Sequence, residues 1–297
     1  MKRTIPAVLL MLSAGTSAAQ SSGYGPLALT LPASARALGM GNIAVAGRDD
    51  DVIFFNPAQL VVARGTSISL ARTSETARGA TMSTVLRLGP AGIGFGMNHF
   101  EYQAPLFTYP VTRDDVLNRN EARGTSTLGS VGYAQVIKGF RLGASVNYAT
   151  DVLNIERFSA VYGDIGIGRD FGRYSTALAV QHLGPSLRRG SEKIEAPATA
   201  TLGVATSRAV GPLDVVATTA LFANEERVSG GVGAEVGWSW ISGYSVAGRA
   251  GFRQPKEAGV ARYTAGFGFI ADRLAIDVAA EILEGDHMSY RAGLRIR

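Results

Sequence analysis

From Phe140 the chain reads FRLGASVNYAT, and its apolar residues fall on every second position. Leu142, Ala144, Val146 and Tyr148 share one face of an extended segment, with Gly143, Ser145 and Asn147 on the other. A period of two predicts a strand with one apolar face. The pattern recurs. Ile93, Phe95 and Met97 alternate with Gly92, Gly94, Gly96 and Asn98. Val232, Ala234, Val236, Trp238 and Trp240 alternate with Gly233, Glu235, Gly237 and Ser239. Leu274, Ile276, Val278, Ala280 and Ile282 alternate with Ala275, Asp277, Ala279 and Glu281. About fourteen such segments follow Leu60. They lie near 64–73, 79–89, 91–101, 124–137, 140–151, 155–168, 173–183, 197–209, 211–224, 229–240, 242–253, 259–271, 272–283 and 287–297, the sixth alternating poorly. Helical signals are nearly absent.

The connections alternate as well. Tight turns are expected at Gly89-Pro90, Lys138-Gly139, Phe171-Gly172, Gly211-Pro212, Ser242-Gly243 and Asp272-Arg273, with longer links between them, chiefly 102–123 and 184–196. Short turns at one end and longer loops at the other are the habit of outer-membrane barrels. A soluble sandwich would set charged residues opposite its apolar face, whereas here Gly, Ser and Thr stand there with sparse charge. Aromatic residues gather toward strand ends, at Phe100, Tyr102, Tyr133, Phe140, Tyr148, Tyr174, Trp238, Trp240, Tyr244, Phe252, Phe269 and Tyr290, a placement similar to interfacial girdles. The expected fold is an all-β transmembrane antiparallel barrel of about fourteen strands.

Composition narrows the setting. Lys2 and Arg3 precede a mostly apolar stretch from Ile5 to Leu12 and the small residues Ser17-Ala18-Ala19. That is the form of a secretory signal peptide, expected over residues 1–19. The chain has no cysteine, which excludes disulfides, thiol catalysis and thiolate metal sites. Its formal net charge is +5, and the excess is spread along the chain instead of clustered, so nucleic acid is not an expected partner. No apolar run beyond the signal approaches the ~18 residues of a membrane helix. Export and strand rhythm together place the chain in a Gram-negative-type outer membrane, with lipid as its solvent.

A barrel of this size leaves a lumen. Residues 20–62 do not read as wall, and they are the natural plug or hatch for a barrel over residues 63–297. They contain SARALGMGNIAVAGRDDDVIFFNPAQL. This stretch resembles the N-terminal signature of the PorV/PorQ family, a branch of the FadL-type barrel superfamily. The matching positions are Ala35-Arg36-Ala37, Gly39-Met40-Gly41, Asp49-Asp50, Asn56-Pro57-Ala58 and Leu60. The resemblance implies a fourteen-stranded barrel with an N-terminal hatch, and it covers about thirty residues. Asp49-Asp50-Asp51 lacks the following ligands of a calcium loop. The aspartates are instead expected to meet arginines in the lumen, while Asn56 and Pro57 form a tight turn. Gly39 and Gly41 are expected to let the backbone approach the wall.

Catalytic signals are weak. His99, His182 and His287 are scattered, no Gly-x-Ser-x-Gly elbow occurs, and the glycine-rich GIGFG and GDIGIG sit on strands without a following helix. Neither enzyme activity, a metal nor a cofactor is expected. Glu235, Arg249, Asp277, Glu281, Arg291 and Arg295 are expected to face inward on late strands, either as a salt-bridged lining that pins the plug or as a polar gate. Two functions follow. The PorV/PorQ resemblance implies an accessory component of type IX-like secretion, with secretion-system proteins or cargo as partners. Its contact surface would be the loop from Tyr102 to Gly124, which carries Phe107, Tyr109 and Arg113. The alternative, implied by FadL-type relatives, is a transporter of hydrophobic small molecules, with Leu27, Leu29 and Leu31 at the apolar end of the plug. A general diffusion porin fits a plugged lumen poorly.

Overall fold

The computed structural model describes residues 26–73, 77–105, 121–153, 156–189, 192–194, 196–224, 228–254, 263–282 and 288–297. Residues 1–19, read as a signal, lie outside them, as do His287 and the loop residues Phe107, Tyr109 and Arg113. The strands are β1 (Gly65–Arg72), β2 (Arg78–Leu88), β3 (Ala91–Pro105), β4 (Glu121–Ile137), β5 (Phe140–Leu153), β6 (Glu156–Phe171), β7 (Tyr174–Leu183), β8 (Leu187–Arg189) and β9 (Glu192–Ile194). They continue with β10 (Thr199–Val210), β11 (Leu213–Ala223), β12 (Val228–Ile241), β13 (Tyr244–Arg253), β14 (Tyr263–Ala271), β15 (Leu274–Ile282) and β16 (Met288–Ile296). All but β8 and β9 form one closed antiparallel ring of fourteen strands, in which β1 pairs with β16 from Thr66↔Ile296 to Arg72↔Tyr290.

Alternation explains the ring. On every strand of the wall, large apolar or aromatic side chains are exposed on the outside, from Ile68 and Leu70 on β1 to Leu294 and Ile296 on β16. A belt of that extent is far larger than a soluble monomer exposes, and lipid is the solvent that suits it. The inner face pairs polar groups across strands, as in the 2.9 Å contact between the Ser67 and Ser83 hydroxyls. Short hairpins close one end. At Lys138-Gly139 both residues have positive φ, 50° and 80°, the two-residue turn whose twist matches the strands it joins.

Three expectations need correction. The link at 184–196 carries its own two-stranded sheet, β8–β9; three-residue strands are too short for alternation to show. β3 and β4 run on to Pro105 and back from Glu121, taking up much of the expected 102–123 loop. Phe100 and Tyr102 are not girdle residues, because they lie on the inward face of β3. Each covers a glycine of a neighbouring strand: a β-carbon at Gly79 would strike the Phe100 ring, and one at Gly124 the Tyr102 ring.

Residues 26–63 pack against the inner face of the wall. They hold a five-residue helix, α1 (Ala35–Gly39), and 3-10 turns at Leu27–Leu29, Val52–Phe54 and Pro57–Val61. The helix lies on β13–β16, and the last turn lies on the opposite arc, β2–β6. Val52, Ile53 and Leu60 are fully buried, each such side chain contributing about 1.5–3 kcal/mol. No helix among the described residues is long and apolar enough to cross a membrane.

Candidate functional site: the seat of the N-terminal segment

Local sequence sets the shape of the segment. Ser34 caps α1 by accepting a hydrogen bond from Ala37 N at 3.0 Å, and its hydroxyl donates to Asp51 Oδ2 at 2.5 Å. Asn56, extended before Pro57, accepts from Ala58 N at 2.9 Å and donates to the Val45 carbonyl at 3.1 Å. A proline cannot offer a donor at the start of the turn, so the Asn56 side chain supplies the cap while also tying two parts of the segment together.

Wall glycines make the close approach sterically feasible. At Gly251 an added β-carbon would land on Met40 C and Gly41 N, and at Gly233 on the Met40 carbonyl. Gly41 itself has φ +77°, a conformation other residues adopt at a cost. Gly39 meets Gly266 on β14, and Thr264 of the same strand ties down Gly39 and Gly41, its hydroxyl accepting from Gly41 N at 3.0 Å and donating to Gly39 O at 3.2 Å. These inward glycines are occupied by backbone, and others by side chains of the segment, such as Leu60 at Gly94 and Val45 at Gly203, instead of opening space. Ala58 lies against Gly143.

Charge is concentrated on the α1 side. Arg36 donates two hydrogen bonds to Glu235, at 2.8 and 2.7 Å, and also pairs with Asp49. Arg249 joins Glu235 to Asp277, lying 2.7 Å from the latter, and Arg295 donates to Asp277 at 2.5 Å. Arg295 and Arg297 both reach Asp49. Arg291 donates to the Ala33 carbonyl and to Thr81, each at 3.0 Å. Glu281 pairs with Arg253 at 3.1 Å, beside this cluster rather than within it. Burial would push Arg36 down, but Glu235 beside it outweighs that and holds it above its ordinary value.

The three aspartates separate in role. Asp49 alone makes ion pairs. Asp51 is held by Ser34, and Asp50, equally buried, has neither oxygen hydrogen-bonded among the described residues. That departs from the expectation that the three aspartates meet arginines: Asp49 does, whereas Asp50 and Asp51 make no ion pair among the described residues. Burial and the neighbouring Asp50 push the Asp51 carboxyl up to about 6. No group of three His, Asp or Glu among the described residues could hold a metal.

On the opposite side the segment's side chains are apolar, while its backbone is held by polar wall groups, Ala28 N donating to Ser126 at 2.8 Å and Ala28 O accepting from Asn98 at 3.1 Å. Ala28 and Leu29 pack with Leu128, Ala149, Ala160 and Tyr162 in the half of the barrel toward the long connections. Sequence reasoning missed Ser34, Thr264 and Arg297. The inward parity of Thr264 was readable, but its bonding to a glycine 225 residues away was not.

Neither a family model nor a curated protein matches the chain. Solved structures do. CymD, a monoaromatic hydrocarbon channel, aligns with TM-score 0.60 and 12% identity over 93% of this chain and 97% of that one. A TodX monoaromatic hydrocarbon channel mutant, deltaS2S3, aligns with TM-score 0.57 and 12% identity over 88% and 96%. A deltaS2 mutant of the same channel gives 0.56 and 14% over 88% and 96%. The likeness is one of fold, and the fold of this chain resembles that of FadL-like outer-membrane β-barrels.

Proposed function

We propose that the chain is a non-enzymatic outer-membrane channel for small hydrophobic molecules, with residues 20–62 as its plug, residues 63–297 as its wall and residues 1–19 as its export signal. The observation that carries this reading is the two-sided seat of the segment. An apolar face with Leu29 and Tyr162 looks toward the long connections, and an ion-paired face with Arg36 and Glu235 anchors the other side. Ligand would collect on the apolar face, and movement there would not require the charged anchor to break. Arg36, Gly39, Gly41, Asp49, Asp50, Asn56, Pro57 and Ala58 would act as the plug's fixings, and Glu235, Arg249, Asp277, Arg291 and Arg295 as their counterparts on the wall. The fold shared with two hydrocarbon channels supports the same reading.

A role in type IX-like secretion rests on the PorV/PorQ signature of residues 34–60 alone, and transport is preferred. The test is uptake of radiolabelled toluene and of a fluorescent acyl probe by cells lacking the chain, with and without the restored gene. Faster uptake on restoration, lost when the apolar face is made polar by Leu29→Asp, is the expected result. Equal uptake in all strains, with co-purification of a large secretion complex, would overturn it.

A further inference from the structure

The short-turn end of the barrel carries unpaired cations almost all the way round. Arg87 stands at the β2–β3 turn, Lys138 at β4–β5, Arg169 and Arg173 at β6–β7, Arg208 beside β10–β11, and Arg273 at β14–β15. Arg64 adds one where β1 meets β16. Six of the seven junctions at this end are thus basic. All these residues are exposed, and none has a carboxylate partner among the described residues. The acids here are few: Asp170 is taken by Arg141 and Arg48, which leaves Asp214 and Asp272. At the other end Arg78 is paired with Glu101 and Arg253 with Glu281, while Arg123 and Arg157 are exposed with no carboxylate partner among the described residues.

Two of these cations point into the lipid face. Arg169 shares parity with the exposed Val161, Ile165 and Ile167, and its guanidinium lies 4.5 Å over the Phe140 ring and 5.2 Å over Phe171. Arg208 shares parity with exposed Leu202 and Val210. Such stacking holds a guanidinium at the apolar boundary with its donors free. Arg64, Arg273, Asp272 and Arg297 also line a hollow of about 580 Å³. The seventh junction, β12–β13, has no cation but carries Trp238, Trp240 and Tyr244, all exposed.

We infer that this ring binds the phosphates of anionic phospholipids in the periplasmic leaflet, where short turns lie. Phospholipid is favoured over an acidic protein because the cations surround the circumference, as lipid does, whereas a partner protein would need them on one side. Arginine matches phosphate with paired donors. The inference is independent of what the channel carries.

Trp238 and Trp240, the chain's two tryptophans, report on it. The full mature chain is reconstituted with phosphatidylglycerol or phosphatidylcholine bearing brominated acyl chains, and quenching gives the relative affinity of each lipid. Phosphatidylglycerol should be preferred by about five-fold at low salt. Arg208→Gln with Arg273→Gln, the cations flanking the tryptophan strand, should bring the ratio close to unity, while Arg78→Gln leaves it unchanged. Retained heat-modifiable gel mobility shows that the double variant is folded. Equal quenching by both lipids in the unaltered protein would overturn the inference and leave the ring to a soluble acidic partner. A preference indifferent to the double substitution would overturn it too.

Discussion

Arg36 and Glu235 lie 199 residues apart in the chain and meet through two nearly parallel hydrogen bonds between α1 and β12. Arg249 approaches the same carboxylate from β13. Glu235 thus bridges two guanidinium groups, each of which keeps a second carboxylate partner, Asp49 for Arg36 and Asp277 for Arg249. Glu235→Gln removes the shared anion while those second partners remain, at a cost of about 1–3 kcal/mol. The expected outcome is a barrel that still folds but shows raised single-channel conductance in planar bilayers.

Close backbone approach makes a sharper prediction. Gly251→Val places a side chain where Met40 and Gly41 run, whereas a β-carbon at Gly248, three residues away on the lipid face, meets nothing within 4 Å. Gly251→Val should displace the segment and raise conductance, and Gly248→Val should do neither. Equal effects of the two substitutions would rule out the space argument.

The seat should respond to pH. Asp51 rises from an ordinary 3.8 to about 6 because it is buried beside Asp50. A carboxyl raised in the folded state favours that state when protonated, so its contribution is full below about 4 and is lost as pH rises to about 6 and beyond. Ser34, Arg36 and Arg295 face the same carboxyl and soften the effect. Conductance should be lower at pH 5 than at pH 8, and Asp51→Asn should hold the low-pH behaviour throughout.

The absence of cysteine permits a direct probe of seating. Ala46→Cys places a thiol at a site 1% exposed. Asn56→Ala removes the cap on Ala58 and one of the two side-chain donors to the Val45 carbonyl, leaving Gln59 at 3.3 Å, a loss of about 1 kcal/mol. Maleimide labelling at position 46 should be slow in the parent and many-fold faster with Asn56→Ala.

Much of the wall was legible because lipid outside and a filled lumen inside enforce strict alternation on strands such as β12 and β15. The hairpin β8–β9 was not, since its strands are shorter than any period. Phe100 and Tyr102 misled because an aromatic near a strand end fits a girdle or a glycine cover equally well. The inward glycines were visible, but whether Gly143 or Gly251 faces empty space or another backbone depends on contacts far away in the chain. Asp50, Asp51 and Asp49 differ only in direction, which three adjacent letters do not encode. The basic ring was hidden by reading +5 as a diffuse excess; its signal is position, with Arg87, Lys138, Arg173 and Arg273 all within two residues of a tight turn.

Beyond its hairpin partner β15, β16 has two neighbours of different kinds. Its backbone zips to β1, while its inward Arg291 and Arg295 grip Ala33 and Asp49. Closure and seating therefore depend on one strand: a change that unzips β16 from β1 also loosens Arg291 from Ala33 and Arg295 from Asp49, so the seam of the hoop and the hold on its contents fail together.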